Sequence, residues 1–161
     1  YAVTAFPAKK VGAAYYTMTF DPYNYIRAFN ECQPTFIGLI PRHLEILEKT
    51  KGWQELDMSC VRYALLGTQL VTQDMIDSLR NKGAQLVTNW YGMTEMPPPV
   101  LVGYNSDAFD WPPKKGYNVE FDDDGECIIN GLRTKDIFDV KTRRYLRRKE
   151  PATGKTWKTN F

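Results

Sequence analysis

Val61-Arg62-Tyr63-Ala64-Leu65-Leu66, then Thr72 through Gly83, then Gln85-Leu86-Val87-Thr88-Asn89-Trp90 is the stretch that decides the fold. The outer runs are short, apolar and rich in β-favouring residues, which is the pattern of buried strands. Between them Thr72 stands where a helix cap belongs, Met75, Ile76 and Leu79 share one helical face, and Gly83 closes the segment. A strand, a helix of ten or so residues and a second strand form a crossover unit, and crossovers join parallel strands.

Working upstream, the same alternation repeats. Pro34-Thr35-Phe36-Ile37-Gly38-Leu39-Ile40 reads as a strand, and Pro41 opens a helix through His43, Leu44, Ile46 and Leu47. Before it, Ala13-Ala14-Tyr15-Tyr16-Thr17-Met18-Thr19-Phe20 reads as a strand over about 14–20. Asp21-Pro22 then caps a helix running to about Cys32. Downstream, Pro97-Pro98-Pro99 ends the alternation, and short β runs separated by Gly, Pro and Asp take over. Tyr117–Phe121 and Glu126–Asn130 flank Asp122-Asp123-Asp124-Gly125, a hairpin signal. The expected fold is α/β, a mostly parallel sheet with crossover helices followed by a small antiparallel β lobe. The division falls between an α/β subdomain, 1–99, and a β lobe, 100–161.

Composition narrows the class. With 161 residues the chain suffices for one core and a small appended lobe. Its 21 basic and 19 acidic residues nearly cancel, so charge gives no reason to expect nucleic acid as a partner. Cys32, Cys60 and Cys127 are odd in number and far apart, which argues against a disulfide framework or a zinc site and suits a reducing cytoplasm. No apolar run is long enough to span a bilayer. The first residue is not Met, so the expectation is that the chain starts inside a longer translated product.

In an open parallel sheet, ligands bind beyond the carboxyl ends of the strands. Three segments leave that edge: Ile40-Pro41-Arg42-His43, Leu66-Gly67-Thr68-Gln69-Leu70 and Asn89-Trp90-Tyr91-Gly92-Met93-Thr94-Glu95. The third combines an aromatic face suited to a nucleobase, a glycine that lets backbone approach a ligand, a hydroxyl suited to phosphate and a carboxylate suited to Mg²⁺. On the residues alone a second reading stands beside it. Tyr91 and Met93 pack beneath the β lobe, and Thr94-Glu95 is a surface turn.

Asn-x-Tyr-Gly-x-Thr-Glu at 89–95 resembles the signature of the AMP-forming, adenylate-forming superfamily of acyl-CoA synthetases, peptide-synthetase adenylation domains and firefly luciferase. Leu66-Gly67-Thr68-Gln69-Leu70-Val71-Thr72 resembles that family's Gly-Gly-Ala-Pro-Leu-Ser-Pro segment. Gly125-Glu126-Cys127-Ile128-Ile129-Asn130-Gly131 resembles its downstream glycine-flanked strand, and Phe20-Asp21-Pro22 and Gly38-Leu39-Ile40-Pro41 also resemble family positions. Order and spacing agree over essentially the whole chain, which resembles the middle portion of the family's large domain.

The resemblance implies a ligase joining a small carboxylate to the α-phosphorus of ATP, with release of pyrophosphate and then transfer to CoA or another thiol. By it Tyr91 would stack on adenine, Thr94 would bond the α-phosphate and Glu95 would hold Mg²⁺, so that Thr94 and Glu95 carry the chemistry. Gly67, Thr68, Asn89, Trp90 and Gly92 would complete the ATP/AMP site. Such chemistry needs charge neutralisation on phosphates rather than proton shuttling.

There are also departures. Leu66 stands where the family has the first of two glycines, which would narrow the pocket floor, and Leu39, His43 and Leu66 suggest a lining for an apolar or aromatic acid. Trp157-Lys158-Thr159-Asn160-Phe161 resembles Trp-x-Thr-Gly-Asp, but Asn160 and Phe161 fill the Gly and Asp places, and that Asp binds ribose in the family. Neither the phosphate-wrapping Gly-rich loop nor the mobile lobe with its catalytic lysine is present in these residues. The missing parts of the same enzyme, or a partner chain, are therefore implied. His43, the only histidine, reads as a packed or surface residue, Asp122-Asp123-Asp124 as a turn, and the cluster Arg143, Arg144, Arg147, Arg148 and Lys149 as a solvated strand face or an interface. A non-enzymatic alternative is a degenerate stand-alone module that keeps the fold and serves as a binding or structural protein.

Overall fold

The structure, a computed structural model, describes residues 2–149. The altered run at Trp157–Phe161 lies outside the described residues.

The first part of the chain is an alternation of helices and strands whose ends follow local chemistry. Helix α2 (Pro22–Cys32) starts where Asp21 caps it, its carboxylate accepting the Asn24 N–H at 2.8 Å, with Pro22 pre-set for the first turn. It stops at Gln33, which is left-handed at φ 44° and donates its N–H to the Phe29 carbonyl. Strand β1 (Phe36–Leu39) leads to α3 (Pro41–Leu47), and a short helix α4 (Lys51–Glu55) is capped by the Thr50 hydroxyl. Strand β2 (Tyr63–Gly67), helix α5 (Gln73–Asn81) and strand β3 (Val87–Tyr91) complete the expected unit. Gly83, at φ +106°, ends this turn, and a Cβ there would lie 2.8 Å from the Ser59 nitrogen.

β1, β2 and β3 are parallel neighbours, in register at Leu39↔Leu66 and Gly67↔Trp90. A fourth strand, β4 (Leu101–Tyr104), adds antiparallel to β3. The expectation that everything past residue 100 belongs to the lobe is therefore corrected. After the proline run the chain turns back and closes the first sheet before it leaves.

The expected strand at 14–20 is absent. A helix, α1 (Ala2–Lys10), precedes it, and residues 13–20 form no ladder and are mostly exposed. A β-favouring run becomes a strand only when its N–H and C=O groups find a neighbour, and β1 remains the edge of the sheet.

The second sheet is antiparallel, in the order β5 (Val119–Phe121), β6 (Glu126–Ile129), β7 (Leu132–Asp139), β8 (Arg144–Arg148). The triple Asp is a turn, as read: the Asp122 carboxylate accepts N–H groups from Asp124 and Glu126, and Gly125 takes φ +79° within reach of the Phe138 carbonyl. Two apolar cores result. One lies between the first sheet and α2–α5, through Phe29, Ile37, Leu39, Leu44, Leu47, Ile76 and Leu79. The other joins Tyr91, Val100 and Leu101 of the first sheet region to Val119, Cys127, Ile129 and Phe138 of the second. No helix among the described residues is long and apolar enough to cross a membrane.

Candidate functional site at the carboxyl edge of the first sheet

Because β1, β2 and β3 run in one direction, the three loops named from sequence leave the same edge of the sheet. The first two are tied directly, and the second and third follow closely packed strands. The Gln69 side-chain carbonyl accepts the Arg42 N–H at 3.2 Å, using a free donor in the first turn of α3 and tying the β2 loop to the β1 loop. Gly67 is buried against β3, and a Cβ there would stand 2.8 Å from the Trp90 carbonyl oxygen, so any larger residue would force the strands apart. Thr68 follows at φ +70°, an unusual conformation for a threonine, and is exposed.

The third loop is a tight reverse turn. Met93 and Met96 exchange backbone hydrogen bonds of 3.0 and 3.1 Å, which puts Thr94 and Glu95 at its exposed tip. Gly92 is needed at its base, where a Cβ would meet Pro98 at 2.8 Å. Thr94, Glu95, Thr68 and Gln69 are thus exposed side chains on loops of one edge.

Other residues of the motif face elsewhere. Asn89 is 4% exposed and its amide donates to the Asp107 carbonyl at 3.3 Å. The Trp90 indole N–H donates to the Tyr63 hydroxyl at 3.2 Å, on the opposite side of the strand. Tyr91 is 8% exposed, its hydroxyl donates to Asp136 at 2.9 Å, and its ring is surrounded by Phe109, Phe138 and Tyr145, with centroids 5.0–6.5 Å away. Burial pushes the Tyr91 phenol above its ordinary range, and burial also raises the Asp136 carboxyl despite the Tyr91 hydrogen bond and the Arg148 charge. The ring expected to stack on adenine is a packing residue between the two sheets in this arrangement. Strand alternation explains it, since Val87, Asn89 and Tyr91 share the face away from Trp90.

Leu39 and Leu66 are likewise corrected. Both are buried under the helices in the first core and do not line the edge. His43 does sit near it, stacked on Phe20 at 3.8 Å and 2° between rings, and desolvation lowers its pKa. Sequence gave no sign of the Phe20–His43 stack, of the Gln69 tie, or of Asp136 as the partner of Tyr91. The basic cluster lies on β8 of the second sheet and the residues beside it, with Arg144 paired to Asp107 at 2.9 Å. A concavity of about 400 Å³ beside α1 is lined by Ala5, Phe6, Lys9, Ala13 and Tyr15, none of them a loop residue of this edge.

Among the described residues no group of three or more His, Cys, Asp or Glu could hold a metal. Glu95 offers one exposed carboxylate, which suits Mg²⁺ only where phosphates and water fill most of its coordination.

No family model matches the sequence, and no curated protein matches it. Solved structures do share its fold. O-succinylbenzoate coenzyme A synthetase from Bacillus subtilis, in complex with ATP and magnesium ion, is 19% identical, with a TM-score of 0.60 over 80% of this chain and 34% of that one. The amide bond synthetase McbA from Marinactinospora thermotolerans is 18% identical, with a TM-score of 0.62 over 82% and 35%. The N-terminal domain of FACL13 from Mycobacterium tuberculosis is 19% identical, with a TM-score of 0.56 over 83% and 43%. The chain thus has the fold of one portion of these enzymes and spans about a third of the length of the two synthetases.

Proposed function

We propose that these residues form the nucleotide-side portion of an ATP-dependent, AMP-forming carboxylate ligase. The observation that carries this reading is that the Thr68 loop and the Thr94-Glu95 turn follow neighbouring parallel strands, packed closely at Gly67, off the same edge of one sheet. The likeness to a coenzyme A synthetase and an amide bond synthetase supports it. In this reading Thr94 bonds the α-phosphate, the Gly67-Thr68 segment lies along the adenine and the acyl group, and Gly92 shapes the loop that presents Thr94. Asn89, Trp90 and Tyr91 support that loop from behind instead of touching the base.

The carboxylate of the substrate attacks the α-phosphorus of ATP, giving an acyl-adenylate and pyrophosphate, and the thiolate of CoA or another acceptor then attacks the acyl carbon and displaces AMP. Mg²⁺, held on Glu95 and the phosphates, would offset the charge that gathers on the phosphate oxygens. A division placed after β4 suits this scheme, because the loops lie before it and the whole second sheet after it. Three free thiols make the cytoplasm the proposed compartment.

One observation favours a second reading. With Tyr91 enclosed, the chain could be a degenerate module that retains the fold and binds no nucleotide. Calorimetry with AMP, and with ATP in the presence and absence of Mg²⁺, separates the two. The ligase portion binds both nucleotides weakly, Thr94→Ala weakens both, and Glu95→Gln removes only the gain from Mg²⁺. No heat with either nucleotide would leave the module reading standing.

A further inference from the structure

Asn130 is the only asparagine in the chain followed by glycine. Such a pair is chemically labile, because a glycine nitrogen has no side chain beside it to hinder attack on the preceding side-chain amide. Asn130 and Gly131 form the two-residue turn between β6 and β7, at φ +50° and +82°, with Ile129 paired to Leu132 across it. Positive φ at both positions defines a type I′ turn, for which asparagine and glycine are a preferred pair. Both residues are exposed, so water and hydroxide reach them freely and burial gives no protection. The turn itself blocks the reaction. In a type I′ turn ψ of the first residue is about +30°, which puts the following nitrogen on the far side of the Cα–C bond from Cβ. Ring closure needs that nitrogen beside Cβ, a rotation of about half a turn in ψ. The side chain is held as well. Asn130 Oδ1 accepts the Asn118 N–H at 2.7 Å, Nδ2 donates to the Gly116 carbonyl at 3.4 Å, and the Asn130 backbone N–H donates to the Asn118 carbonyl at 2.8 Å. Rotating ψ therefore breaks the Ile129–Leu132 pairing and pulls Asn130 off Gly116 and Asn118.

We infer that Asn130-Gly131 is a modification site gated by this hairpin, a site of deamidation that is silent in the closed turn and reacts when the β6–β7 pairing opens. In the open turn the Gly131 amide nitrogen gives its proton to hydroxide and attacks Asn130 Cγ. The N–Cγ bond forms, the Cγ–Nδ2 bond breaks, and ammonia leaves with a proton taken from water. The five-membered imide that results adds water at either carbonyl. Opening at Cγ gives aspartate. Opening at the main-chain carbonyl gives isoaspartate, whose backbone runs through Cβ and Cγ and is one carbon longer. Aspartate keeps an acceptor for the Asn118 N–H and loses only the donor to Gly116. Isoaspartate lengthens the link, which then no longer closes a two-residue turn in the Ile129–Leu132 register. Reaction therefore makes a transient opening of the hairpin permanent, and water is the only co-reactant.

Incubation of the 161-residue chain at mildly alkaline pH, with and without guanidinium chloride, followed by peptide mass spectrometry, tests this. Deamidation at Asn130 is expected to be at least about tenfold slower in the folded chain, since each event waits for the hairpin to open. Phe138 lies in the core beneath this sheet, together with Ile129 and away from the turn. Phe138→Leu should raise the rate in the folded chain and leave the rate in denaturant unchanged. Equal rates with and without denaturant, or a folded-state rate insensitive to Phe138→Leu, would overturn the gate. Absence of reaction in denaturant would overturn the site. The isoaspartate form, separated by ion exchange, should unfold at lower denaturant than Asn130→Asp, which carries the same charge on a backbone of normal length. Coincident midpoints would overturn the conclusion that the longer link keeps the turn from closing.

Discussion

Tyr91 and Asp136 form the most consequential side-chain pair in the molecule, a buried phenol donating to a buried carboxylate. Burial raises the carboxyl pKa in the folded state, so between the ordinary Asp range and the raised value the folded protein holds more protons than the unfolded one. Stability therefore falls as pH rises through that window. Asp136→Asn keeps an acceptor for Tyr91 and removes the charge, so urea unfolding should show it gaining on the parent as pH goes from 4 to 7. Asp136→Ala strands the phenol and should be about 1–3 kcal/mol less stable than Asp136→Asn at both pH values. A stability difference between Asp136→Asn and the parent that does not change with pH would refute the charge argument, and equal stability of the two variants would refute the hydrogen-bond argument. The sequence showed that an aromatic stands before Gly92, but not which way it faces. That depends on the partner strand and on residues 45 positions downstream, and an aromatic at a strand end is equally suited to a ligand or a core.

Elements whose ends are set by neighbouring residues were legible, and elements set by distant ones were not. Asp21-Pro22 fixed the start of α2 because cap and proline act within one turn. Removing that cap by Asp21→Ala should cost about 1 kcal/mol, read from the denaturation midpoint. An unchanged midpoint would mean that packing of Phe29 alone holds the helix. The β6 hairpin was legible for the same reason, through Asp122 and Gly125. The 13–20 run has the right residues for a strand but no ladder partner, and β4 follows three prolines yet pairs with β3. Both outcomes depend on which sheet edge is free, a property of the assembled sheet. At the candidate edge, the loop order and Gly67 were readable from the crossover pattern, while the Gln69–Arg42 bond depends on the final spacing of β1 and β2.

At the scale of the whole molecule, the 161-residue chain is expected to form no acyl-adenylate. Its residues hold neither the phosphate-wrapping loop nor the catalytic lysine, and loss of one such electrostatic donor commonly lowers rate by about a hundredfold or more. Pyrophosphate exchange with a broad panel of carboxylic acids is the assay, and turnover abolished by Glu95→Gln would show that a shorter catalytic solution exists. The two sheets also share a strand's worth of core, since β3 gives Val87 to one cluster and Tyr91 to the other, with Asp136 of β7 bonded to the latter. A rivet of this kind makes the sheets one cooperative unit. Amide hydrogens of β3 and β7 should exchange through a common opening event with the same free energy, and Tyr91→Ala should split that event in two, leaving the antiparallel sheet to open first while the helical layer stays shut.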